Sequence, residues 1–162
     1  MKRLLITIGL LLVGSGLYVG LRQALPVLSP TALPNYPIRQ INIGSETFSV
    51  LITQTQKERE LGLGAVRILP KHHGMLFEFS EGGEVGIWMK GMRYPIDILW
   101  LDARMHVIHI ERSVEPSSYP AEIFKNPPGT SAHFVLEVNA DEAARLGVKN
   151  GQHIDLSNHH ND

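Results

Sequence analysis

This chain of 162 residues predicts a mostly β domain behind one membrane-spanning segment, and three observations carry the expectation. About seven short runs alternate apolar and polar residues between Gly, Pro, Asn and Asp turns, only two stretches carry helix-starting chemistry, and strand and helix units do not alternate. The architecture expected is a single compact antiparallel sandwich or small barrel with two short helices. A doubly wound nucleotide-binding fold is disfavoured, because it needs the strand–helix alternation that is missing.

The chain opens with Met1-Lys-Arg, runs without a charge from Leu4 to Leu21, and meets Arg22. As a helix this run covers about 27 Å, which suits a hydrocarbon core of about 30 Å with flanking side chains reaching outward. Lys2 and Arg3 outweigh Arg22, which favours a cytoplasmic N-terminus and an extracytoplasmic domain. A cleaved signal peptide, releasing a secreted domain, is the competing reading. The run is long for a signal, and Pro30 and Ala32 make a poor cleavage site. Residues 1–22 are therefore expected to be an anchor, with a proline-rich spacer at 23–37 that holds the domain off the bilayer. The β-rich domain follows at 38–157, and a polar tail at 158–162.

Of the 15 basic groups three lie in residues 1–32, leaving 12 against 16 acidic groups, a net charge of −4. That balance disfavours nucleic acid as a partner. The chain has no cysteine, so neither a disulfide framework nor a thiol for lipid attachment is available.

Within the domain, Ile38–Ile43 and Thr47–Ile52 alternate about the turn Gly44-Ser45, which predicts a hairpin. Thr55-Gln-Lys-Glu58 is a capping box and starts a helix running to about Ala65. Met75, Phe77 and Phe79 share a strand face, and Val107–Glu111 reads as another strand. The segment 113–133 is too long for a simple connection, so it is either functional or a cover over the sheet. Phe134–Val138 returns to strand. Asn139 is expected to cap a helix from Ala140 to Leu146, and Lys149-Asn150-Gly151 to form a hairpin turn before His153–Leu156.

The centre of the core is placed at Gly86–Asp102. Alternation sets Trp88 and Lys90 on one face, and turns Asp97, Leu99 and Leu101 away from Ile96, Ile98 and Trp100. Asp97 is then a carboxylate deep among apolar neighbours, and it needs a partner. Lys90, Arg93 and Arg59 are the candidates.

Glu58-Arg59-Glu-Leu-Gly62-Leu63, Arg67 with Leu69-Pro70, Gly74-Met-Leu-Phe-Glu-Phe79, Trp88-Met-Lys90, Pro95-Ile-Asp97-Ile98 and Val135-Leu-Glu137 stand in an order that resembles the family called domain of unknown function 192. The resemblance spans most of residues 40–156 and implies a compact β-rich fold, often behind a signal or anchor, with no established activity. The chain departs from the family pattern with Gly64 where methionine is usual, Gly91 where asparagine is usual, and Gln152 where aspartate is usual. At 91 the exchange suits a turn that needs positive φ.

The candidate binding residues are Arg59, Arg67, Lys90, Asp97, Trp88 and Glu137. Arg59, Lys90 and Asp97 would form a polar pocket for an anionic or hydroxylated ligand; their alternative is an internal ion pair that neutralises a buried acid. Trp88 and Trp100 could stack on a sugar, although large aromatics on strands are mostly core. No metal is expected: His106 and His109 point to opposite faces, and the pairs His72-His73 and His159-His160 lack a third ligand at metal spacing. No cofactor is expected. Ser113, Ser117, Ser118 and Ser131 lack a nucleophile-elbow pattern, and nothing brings Asp97 and Glu137 together as a catalytic pair. The reading is thus a membrane-anchored domain that binds a small polar ligand or an envelope protein. The alternatives are a small hydrolase using Asp97 with Lys90 or Arg59, and a structural module carrying a wide apolar patch.

Overall fold

Gly44, at φ +62°, turns the chain between β1 (Ile38–Ile43) and β2 (Glu46–Thr53), which pair antiparallel with Ile41 opposite Phe48. The computed structural model describes residues 34–156. The expected anchor at 1–22, most of the 23–37 spacer and the 158–162 tail lie outside the described residues. After β2 the predicted capping box is formed: Thr55 Oγ1 accepts from the Glu58 amide at 3.2 Å, and Glu58 Oε2 accepts from the Thr55 amide at 2.9 Å. It starts α1 (Gln56–Leu61), which tightens into a 3₁₀ turn at Gly62–Ala65.

Next come β3 (His73–Glu78), β4 (Gly86–Ile87), β5 (Ile96–Leu101), β6 (Val107–Val114), β7 (Phe124–Lys125), β8 (Phe134–Asn139), α2 (Glu142–Arg145) and β9 (Asp155–Leu156). Seven strands form one curled sheet, a half-barrel in the order β6-β5-β8-β3-β2-β1-β9, and β4 and β7 form a separate two-stranded ribbon. The expected mostly β chain with two short α-helices is therefore present. The expected wholly antiparallel pairing is not, because β2 and β3 run parallel. α1 and the loop after it carry the chain back along the sheet between these strands, and such a crossover aligns the strands it joins.

The curl brings the two edges of the sheet together at one rim. The Val107 amide donates to Gln152 at 2.9 Å, Gly151 to Val107 at 2.7 Å, and Ile154 to Met105 at 3.0 Å. His106 and His153 pair as a bridge beside them. The turn at Lys149–Gly151 thus feeds a closing segment and not the predicted hairpin, since no strand precedes it.

Alternation along each strand supplies two cores. The concave face holds Ile41, Phe48, Val50, Leu76, Leu99 and Leu136, all with essentially no exposure, and the convex face holds Leu51, Met75, Ile98, Trp100 and Val135. Fully burying each of these larger side chains contributes about 1.5–3 kcal/mol. The segment 113–133 is a cover, as one of the two sequence readings had it. Within it Asn126 is buried and accepts the Val85 amide at 2.8 Å, while Trp100 Nε1 donates to the Val85 carbonyl at 2.9 Å. These bonds hold the β4–β7 ribbon against the convex core. The strand run beginning at Gly86 accordingly pairs with β7, with Ile87 opposite Phe124, and does not lie beside β5.

Candidate functional site

Asp97 is buried as predicted, yet neither Lys90, Arg93 nor Arg59 is its partner. One carboxylate oxygen accepts the Ser113 amide at 2.8 Å and the Asp141 amide at 3.2 Å, and the other accepts the Ala143 amide at 2.8 Å. Ser113 and Asp141 both have positive φ, +50° and +69°. Asp97 therefore fixes an irregular end of β6 and caps α2 from outside the helix. The predicted Asn139 cap is absent, because Asn139 Nδ2 donates to the Leu69 and Pro70 carbonyls at 3.2 Å each. Held by three main-chain amides and without exposure to solvent, Asp97 is out of reach of a ligand. The hydrolase reading centred on it falls with that geometry.

Glu137 is the buried acid that has no partner among the described residues. It lies in the interior strand β8 with Met75 opposite on β3 and Ile98 opposite on β5, and Leu51 continues the same row on β2. A carboxyl in a row otherwise made of Leu, Met and Ile is stripped of water on both sides. Burial pushes its pKa from 4.5 up to about 8. Among the described residues its side chain makes no hydrogen bond or ion pair, and its 4% exposure opens into a cavity of about 240 Å³. The phenol of Tyr94, pushed up by burial and then by Glu137, donates to the Val66 carbonyl at 3.3 Å behind this wall.

α1 and the 3₁₀ turn build one side of the cavity, and the residues following β4 build the other. Arg59 lies half-buried on α1 with its guanidinium 5.7 Å from the centre of the Phe79 ring. Leu63, Phe77 and Phe79 supply apolar wall, while Trp88 and Lys90 stand at the exposed mouth. The two sides meet backbone to backbone. A Cβ on Gly64 would lie 2.7 Å from the Lys90 carbonyl oxygen, so glycine at 64 is what lets the turn at Lys90–Gly91 close. Gly91 itself has φ +76°, which fits the reading of that position as a turn. Arg93 reaches over this junction and donates to the Gly64 carbonyl at 2.9 Å.

Four of the six sequence candidates, Arg59, Lys90, Trp88 and Glu137, therefore line one cavity. Asp97 belongs to the concave face, and Arg67 stands exposed on the loop beyond Val66. Leu61, Gly62, Gly64 and Phe77 were not singled out as site residues; the capping box places α1 but does not say which strand its far end covers. Among the described residues no three His, Asp or Glu side chains are grouped to hold a metal.

The family model described as Uncharacterized ACR, domain of unknown function 192, matches residues 39–156. A crystal structure from Sinorhizobium meliloti 1021, of a protein proposed to be a transcription regulator, is 28% identical with a TM-score of 0.68, covering 75% of this chain and 95% of that one. A protein of unknown function from Novosphingobium aromaticivorans DSM 12444 is 24% identical with a TM-score of 0.66, covering 76% of this chain and 88% of its own, and shares the fold. No curated protein matches the chain.

Proposed function

The chain belongs to the domain of unknown function 192 family, and from that premise we propose that its domain is a binding module for a small amphiphile. The N-terminal apolar run holds it on the extracytoplasmic side of a membrane. One observation carries the binding reading: a buried carboxyl without a protein partner faces a cavity whose other polar groups include two cations, Arg59 and Lys90. A ligand able to hydrogen-bond that carboxyl would supply the partner that the described residues do not.

The chemistry of the ligand follows from the lining. Below about pH 8 Glu137 holds its proton and donates a hydrogen bond, so the cavity favours a hydroxylated or anionic head. Arg59 and Lys90 attract the same head from the mouth. Phe77, Phe79 and Leu63 take a small apolar body. Glu60 also lines the cavity, but its carboxylate is engaged by Gln56 Nε2 at 2.9 Å.

Binding to the full chain in nonionic detergent, read by thermal shift with short-chain carboxylates, glycerol phosphate and simple sugars, tests the proposal. Affinity for an anionic head is expected to fall as pH rises through about 8 in the wild type and to stay level in Glu137→Gln. Binding that is absent throughout, or that has the same pH profile in both proteins, would sink it.

The raised pKa of Glu137 supports a second reading, in which that carboxyl serves as a general acid. This replaces Asp97 as the acid of the hydrolase alternative. Proton transfer to a bound leaving group would be its role, and a ligand consumed by the wild type but stable with Glu137→Gln would separate it from simple binding.

A further inference from the structure

We propose that the mouth of the Glu137 cavity is also a docking face for an anionic lipid surface, so that the domain lies with this mouth against the bilayer. Two features of the rim carry the inference. Three of the six exposed large apolar side chains among the described residues gather there: Leu61 at 48%, Trp88 at 41% and Ile123 at 56% exposure. Leu61 and Trp88 line the cavity directly, and Ile123 reaches it through Gly86, where its Cγ2 would stand 2.8 Å from an added Cβ. An indole among aliphatic side chains is the composition that partitions into a headgroup region.

The second feature is charge. Arg59, Lys90 and Arg93 surround the same mouth, the last anchored to the Gly64 carbonyl. None of the three forms an ion pair among the described residues, while Lys125, opposite Gly86 at the same rim, is paired with Glu84. The acids near them are Glu60, hydrogen-bonded to Gln56, Glu58, turned inward to its capping box, Glu84, paired with Lys125, and Glu137 inside the cavity. In a domain with a net negative balance, a face of unpaired cations and exposed apolar groups complements phosphate headgroups.

The path of the chain agrees with this orientation. Tyr36 packs half-buried against the convex core near Glu58, so the described chain enters the domain beside the first turn of α1.

The test uses the full chain mixed with vesicles whose acyl chains carry bromine, either of phosphatidylcholine alone or with about one-third phosphatidylglycerol. Trp100 is fully buried in the core and serves as the internal reference, and Trp88→Phe removes the reporting indole. Trp88 emission is expected to be quenched in the anionic vesicles and not in the neutral ones. Each basic residue held near an anionic surface raises partitioning by roughly fivefold, so Lys90→Glu with Arg93→Glu is expected to lower the docked fraction more than tenfold. Equal quenching in both vesicles, quenching in neither, or no change on charge reversal overturns the proposal. The measurement is made without ligand, so its failure leaves the cavity reading standing, and loss of ligand binding in Glu137→Leu leaves this one standing.

Discussion

Replacing Glu137 by glutamine removes the ionisable proton while keeping the shape of the protonated side chain, so its effect on stability should depend on pH in a defined direction. Burial raises the folded-state pKa from 4.5 to about 8, which means the folded chain holds this proton more tightly than the unfolded chain does. The Glu137 contribution to wild-type stability therefore falls as pH rises from about 4.5 to about 8 and is level on either side. The glutamine variant lacks that slope. The difference between the two is expected to be small at pH 4, about 3 kcal/mol in favour of glutamine at pH 7, and on the order of 5 kcal/mol at pH 9. Chemical unfolding of the full chain in nonionic detergent, followed by the emission of buried Trp100 over that pH range, measures it. Parallel profiles for the two proteins, or a wild type that gains stability above pH 6, would refute the claim that Glu137 is an unpaired acid in an apolar row.

Two further substitutions separate scaffold from site. Asp97→Asn sets an amide NH₂ against a main-chain donor at one of its two oxygen positions and should cost about 2–4 kcal/mol while leaving ligand affinity in the folded fraction unchanged; a thermal midpoint equal to the wild type would contradict the three-amide geometry. Gly64→Ala forces its Cβ against the Lys90 carbonyl, 2.7 Å away, and should cost about 1–3 kcal/mol and shift the emission of Trp88 at the displaced turn. An unchanged midpoint and spectrum together would show that the turn tolerates the methyl.

The elements written in local chemistry were legible in the sequence. The capping box at Thr55–Glu58 and the hairpin about Gly44 depend on residues a few positions apart, and both formed. What depended on distant segments was not. Asp97 was correctly placed in the interior from alternation, but its partners are main-chain amides 16, 44 and 46 residues away, and an amide leaves no mark in a sequence of side chains. The expected cation partner has no counterpart in the fold. The parallel β2–β3 pair was missed for a related reason, since α1 is too short to suggest a crossover by itself. The signal for Glu137 was present and underused: in Phe134-Val-Leu-Glu-Val138 the acid shares its face with Val135, so the alternation that buries one buries the other.

The three-way attachment of Asp97 has a dynamic consequence. α2 is only four residues long, too short to persist through its own hydrogen bonds, and the end of β6 is irregular at Ser113. Because a single carboxylate grips amides from both segments, they exchange with solvent through one shared opening and not by separate fraying. A fragment that would otherwise come and go within microseconds thereby inherits the lifetime of β5, the strand that holds it.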